Sequence, residues 1–151
     1  MRNNQQGFSL LELIITIAII SLLVSLTFPT YQRYTDKARF LEVVLSVFKT
    51  KKAVELCSQI DAADASSFKQ KCIGGGGGGV HDLPTPSSAV SSINVTANTA
   101  EATITVTALS NGVFNNVANP TYILLGQRKV NGQVHWREDL ANASCHAAGV
   151  C

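Results

Sequence analysis

Charge is what this sequence has least of. Charged residues make up 15% of its 151 residues, against roughly 25% in ordinary soluble domains. Twelve Lys and Arg against ten Asp and Glu leave a formal charge of only +2, so a uniformly basic nucleic-acid binder is not indicated. Catalytic patterns are missing too. His81, His135 and His146 are scattered, no GxSxG elbow occurs, and Asp61, Asp64, Asp82, Glu101, Glu138 and Asp139 have neither EF-hand nor paired-carboxylate spacing. No enzyme, cofactor or metal is expected. The length leaves room for about one domain with an ordinary core.

Cysteine is absent from the first third of the chain. All four, Cys57, Cys72, Cys145 and Cys151, lie in the polar remainder, and an even count there predicts two disulfides in an oxidising compartment. Three pairings are possible. The local one, Cys57 with Cys72 and Cys145 with Cys151, closes short loops and is preferred. Zinc is the rival, but no CxxC or HxxxH spacing occurs and Cys145 and His146 are adjacent.

What is abundant is apolar residues at the N-terminus. After a polar stretch carrying Arg2, Phe8 opens an apolar run to Phe28. As a helix it measures about 31 Å, matching a bilayer core. An ordinary secretory signal has a shorter apolar core and ends in small residues; this run is too long and has no such ending. Glu12 breaks the pattern, because a carboxylate inside a membrane span costs on the order of 3 kcal/mol. The residue needs a cation, and another subunit's amino terminus is the nearest candidate.

Gly7-Phe8-Ser9-Leu10-Leu11-Glu12-Leu13 resembles the prepilin signature of type IV pilins, GF[ST]xxE followed by an apolar helix. The resemblance implies cleavage by a prepilin peptidase between Gly7 and Phe8, N-methylation of Phe8, and a filament-assembly role for Glu12 and Phe8. Pro29 fits as the place where the helix kinks or loosens; the glycine that the family commonly has about eight residues earlier is Ser21 here. It further implies a single-pass protein of the bacterial inner membrane, in contact with lipid and an assembly platform, that becomes part of an extracellular homopolymer. Adhesion, twitching motility and DNA uptake are the uses such filaments have. A minor pilin, a type II secretion pseudopilin and a DNA-binding competence pilin are the alternatives, the last with Arg128, Lys129 and Arg137 on phosphate.

Past Pro29 the expected layout is α+β. Phe40, Val44, Val47 and Phe48 recur at helical spacing with Leu41, Leu45 and Leu56 nearby, predicting the helix face that packs under a sheet, with Lys49, Lys51, Lys52 and Glu55 opposite. Residues 62–92, with six consecutive glycines from Gly74 to Gly79, read as a loop with a flexible glycine linker and not as a phosphate loop. Alternation over 93–97 and 102–108, then 122–125 and 133–137 around Asn131-Gly132, predicts a four-stranded antiparallel sheet. Ile104 and Val106 fall on one face of it, Thr103, Thr105 and Thr107 on the other. His135 and Trp136 fall on opposite faces, Trp136 inward. The expected organisation is therefore a leader over 1–7, a membrane helix over 8–30, and a pilin-type head over 31–151. The head's sheet spans 93–138, and a disulfide loop occupies 139–151.

Overall fold

In the computed structural model, which describes residues 8–82 and 87–151, the apolar run opens a single helix. Helix α1 spans Leu10–Ile60 and contains Pro29 without interruption. The chain divides between Thr35 and Asp36 into two units. In the first, every residue from Phe8 to Tyr34 is exposed, because nothing within this unit is available to cover an isolated helix.

The second unit holds the core. Here α1 buries Phe40, Val43, Val47, Thr50, Val54 and Cys57, residues three or four apart that share one side of a helix. They meet Ile93 and Val95 of strand β1 (Val90–Ala97) and Ile104, Val106 and Ala108 of strand β2 (Thr103–Ser110) in one apolar cluster. The sheet adds β5 (Thr121–Arg128) and β6 (Val134–Glu138) in the antiparallel order β1-β2-β5-β6. The four expected strands are present, with Ile104 and Val106 buried and Thr105 and Thr107 less so; Thr103, expected outside, is buried as well. Arg128 pairs with Val134 across the turn that contains Asn131-Gly132.

The helix face differs from expectation. Phe40, Val44 and Val47 face the core, but Leu41, Leu45, Phe48 and Leu56 are all at least half exposed. At about 100° per residue, Leu41, Leu45 and Leu56 lie opposite Val43, Val47 and Val54. This part of α1 is apolar on two sides, so the spacing of apolar residues alone could not say which side takes the sheet.

Residues 62–92 are not one loop. Helix α2 (Ala65–Lys71) starts on a capping box in which Asp64 accepts from the Ser67 N–H and the Ser67 hydroxyl accepts from the Asp64 N–H. The Ser67 contacts hold the Asp64 carboxyl below its ordinary value. The glycine run is a packed segment and not a linker. Gly75, Gly77 and Gly79 have positive φ, and a Cβ on the intervening Gly76 or Gly78 would strike Gln70 O or Cys57 Sγ. The run lies along β1: Gly74 N–H donates to Val95 O, and the Asp82 carboxylate accepts from Val95 N–H. That covers one edge of the sheet. Pro84 and Pro86, also assigned to this loop, lie outside the described residues.

A small hairpin was not anticipated. Strands β3 (Val113–Phe114) and β4 (Val117–Ala118) turn through Asn115 and Asn116 at φ 44° and 67°. Two residues with positive φ are what a tight hairpin turn needs, and asparagine tolerates them. Phe114 is fully buried edge-on to Phe40, with ring centroids 5.6 Å apart. Asp36 accepts from Asn115 N–H, and Asn115 Nδ2 donates to Ala148 O, so the hairpin ties α1 to the C-terminal loop.

Candidate functional site

Among its described residues the first unit offers an exposed apolar surface. An 18-residue window of α1 has a mean hydropathy of 2.5 with none of it buried, enough to cross a membrane by length and composition. Glu12 stands in the first turn, where the unpaired N–H groups at a helix N-terminus favour negative charge. Its carboxylate is the single charge between Phe8 and Phe28. Gly7, on the N-terminal side of the expected cleavage, lies outside the described residues, and Phe8 is exposed.

Toward Pro29 the helix carries its own weaknesses. Ser21, Ser25 and Thr27 turn their hydroxyls back onto the carbonyls of Ile17, Leu22 and Leu23, competing with the backbone ladder. Pro29 contributes no N–H to the ladder at all. In this structure the segment is nonetheless helical throughout.

The three basic residues proposed for phosphate contact are not equivalent. Arg128 donates to Ser58 O and Ala62 O, 2.8 Å for the latter, at the C-terminal end of α1. The last turn of α1 has no basic residue of its own, so a guanidinium from β5 satisfies carbonyls that a helix end leaves unpaired. Arg128 therefore also has a structural role within the fold. Lys129 Nζ is bonded to Gln127 Oε1, and Arg137 lines a groove. Replacing Arg128 with alanine is expected to destabilise the head by about 2 kcal/mol, the worth of hydrogen bonds to a charged group, read as a lowered melting temperature. Arg128→Lys is expected to recover only part, since an ammonium cannot span both carbonyls as the fork does.

That groove, of about 270 Å³, lies between α1 and the β5–β6 side of the sheet, lined by Val44, Val47, Phe48, Lys51, Tyr122, Leu124, Trp136, Arg137 and Glu138. The Trp136 ring packs directly over Gly126, opposite it on β5, where a Cβ would come within 2.7 Å of the indole. Trp136 Nε1–H donates to Glu55 at 2.9 Å, and Lys51 Nζ sits 5.7 Å from the centroids of both Phe48 and Trp136. Burial pushes the Tyr122 phenol up to about 12, and the Glu138 carboxylate adds to the shift, so the phenol stays protonated at any physiological pH.

Glu55 titrates against this arrangement. Burial by itself would raise its carboxyl, but hydrogen bonds from Lys52 and Trp136 and the charge of Lys51 outweigh that and hold it below its ordinary 4.5. A carboxylate with a depressed folded pKa contributes stability above its unfolded value, and that contribution is lost as pH falls through the folded one. Acidification below 4.5 is therefore expected to shift the emission of Trp136, the one tryptophan in the sequence. Glu55→Gln is expected to abolish that transition.

Both cysteine pairs are bonded: Cys57 with Cys72 across a Cα separation of 5.6 Å, and Cys145 with Cys151 across 5.5 Å. His146 stands beside the second pair, with its possible ligand atom within 4.8 Å of both sulfurs. Sulfurs joined to each other are not thiolates, so this trio does not hold zinc in its bonded form.

The prokaryotic N-terminal methylation motif, as a family profile, matches residues 2–28. A type IV major pilin protein, PilE1, of Neisseria gonorrhoeae is 30% identical over 90% of this chain and 76% of its own length. The type IV pilus subunit protein TapA of Aeromonas hydrophila is 46% identical over 36% of this chain and 39% of its own length. Prepilin peptidase-dependent protein D of Escherichia coli (strain K12) is 35% identical over 43% of this chain and 47% of its own length. The chain thus spans less than half the length of the last two. No solved structure matches.

Proposed function

The chain belongs to the type IV pilin family, and from that premise we propose that it is a structural subunit, anchored in the inner membrane by α1 and then polymerised through that helix into an extracellular filament. The observation that carries this reading is the unpartnered apolar surface of α1. From Phe8 to Phe28 every residue is exposed, and on the head Leu41, Leu45 and Leu56 remain 53%, 56% and 60% exposed. Each buried Leu or Ile contributes roughly 1.5–3 kcal/mol, so leaving a row of them in water is costly. Lipid covers the first set before assembly, and helices of neighbouring subunits cover both sets afterwards.

Maturation follows the same logic. Cutting between Gly7 and Phe8 creates a new amine at Phe8, four residues from Glu12, and a prepilin peptidase would methylate it. The amine of one subunit is the cation that the Glu12 carboxylate of the next lacks. Intact mass and electron microscopy of material sheared from the cell surface test the proposal. A chain beginning at methylated Phe8 as the bulk of a filament is the expected result, and its absence from filaments that the same cells make would overturn it.

The disulfide-closed C-terminal loop favours a pilus subunit over a type II secretion pseudopilin. A minor pilin remains the second reading, distinguished by its small share of the sheared material. Attachment, twitching and DNA uptake are the roles open to such a filament; for uptake, Arg128, Lys129 and Arg137 are the basic residues proposed to meet DNA, Arg128 while also holding the end of α1.

A further inference from the structure

The two edges of the sheet are treated differently. On β1 the outward N–H and C=O of Val95 are both taken, by Asp82 and Gly74. On β6 the bonds Lys129 N–H to Gln133 O and Asp139 N–H to Ile123 O set the alternation, so Gln133, His135, Arg137 and Asp139 face β5. In an antiparallel pair the intervening residues point the other way. The N–H and C=O of Val134, Trp136 and Glu138 therefore face outward, and among the described residues nothing pairs with them.

Beside this open edge lies the aromatic groove, whose charges are unequally occupied. The acids near it are engaged, Glu138 in its lining beside Tyr122 and His146, and Glu55 at the Trp136 indole by Lys52 and Trp136. The nearby cations are not: Lys51 stands over the groove and Arg137, alternating with Trp136 along β6, on the other face of the same edge, and among the described residues neither forms an ion pair with a carboxylate. An open edge supplies backbone hydrogen bonds, an aromatic floor accepts apolar side chains, and two unpaired cations select for acid.

We propose that the β6 edge and its groove bind an acidic segment of another protein in extended conformation, added to the sheet as a further strand, with its carboxylates on Lys51 and Arg137. A second copy of β6 is a poor occupant. Antiparallel pairing about Trp136 sets Arg137 against His135 and brings no carboxylate to either cation. The site takes Phe48 and Lys51 from α1 as well as Trp136 and the outward backbone of β6, so it rests on the pilin reading, and binding is read on the unpolymerised chain.

The full chain in detergent reports directly, through its single tryptophan at the site. The probes are a short peptide of valine and glutamate and the same peptide with lysine for glutamate. The acidic peptide is expected to shift Trp136 emission saturably, to slow hydrogen exchange at the amides of Val134, Trp136 and Glu138, and to weaken with added salt. Lys51→Glu with Arg137→Glu is expected to weaken it by roughly tenfold, while Lys69→Glu on α2 leaves it unchanged. Equal binding of the lysine peptide, or binding without protection of those three amides, would overturn the proposal. So would concentration-dependent self-association that protects the same amides without any peptide, since the occupant would then be a second copy.

Discussion

Glu12→Ala is expected to leave the chain processed and membrane-inserted while surface filaments fall to a small fraction of wild type or vanish. The two halves of that result have opposite physical origins. Removing a carboxylate from an apolar span relieves a cost on the order of 3 kcal/mol, so insertion is not impaired and fewer filaments cannot be blamed on a lost anchor. What the substitution removes is the partner for a cation in a low-dielectric helix bundle, where an unpaired ion is several kcal/mol worse than a paired one. Glu12→Gln separates charge from hydrogen bonding: it keeps an acceptor of the same shape and is expected to fail nearly as badly. Immunoblots of membrane and sheared fractions check both halves. Filament yield at the wild-type level from Glu12→Ala would sink the assembly role.

The second large effect concerns the head. Cys72→Ala is expected to destabilise it by about 3 kcal/mol, the chain-entropy value for a loop of this length, on top of whatever the buried position adds. Cys57 and Cys72 are separated by 15 residues and are essentially fully buried, and their bond joins the end of α1 to the end of α2. It also sets the floor on which the glycine run lies, since Gly78 packs directly on Cys57. Loss of the bond is therefore expected to loosen the cover over β1 as well as to lower the melting temperature. Thermal unfolding with and without reductant, with hydrogen exchange at Val95, checks this. An unchanged melting temperature would show that the hydrogen bonds along β1 suffice without the bridge. Cys145→Ala should cost less, since its loop has a separation of only 6 and Cys145 N–H and Val150 N–H already hold it through Thr121 O and Cys145 O.

The expectations that held came from local signals. Alternation from Ile104 to Ala108, the Asn131-Gly132 turn and the uninterrupted apolar run are each complete within a few residues, and each appears as predicted, though Thr103 at the strand's start is buried. The errors came where two solutions satisfied the same pattern. Helix α1 carries apolar residues on opposite sides in its second half, and the sheet took the side of Val43 and Val54. Six glycines in a row satisfy the composition of a linker, yet alternate ones supply positive φ and the others close approach, a use visible only beside Cys57 and Gln70. The β3–β4 hairpin and the Asp64 capping box did have signals, in Asn115-Asn116 and in Asp64 with Ser67. Arg128 had none, because its partners are carbonyls about seventy residues earlier in the chain.

The apolar helix thus rests on the sequence alone. So does the expectation that it matures at Phe8, with Glu12 as its charge, because transfer of side chains into lipid and a short recognition motif both depend on residues adjacent in the chain. Tertiary structure decided which side of α1 faces the sheet and where Arg128 is spent. It also decided that one sheet edge is covered while the other opens beside the Trp136 groove, because each of these is settled by surfaces that meet only after distant segments have packed.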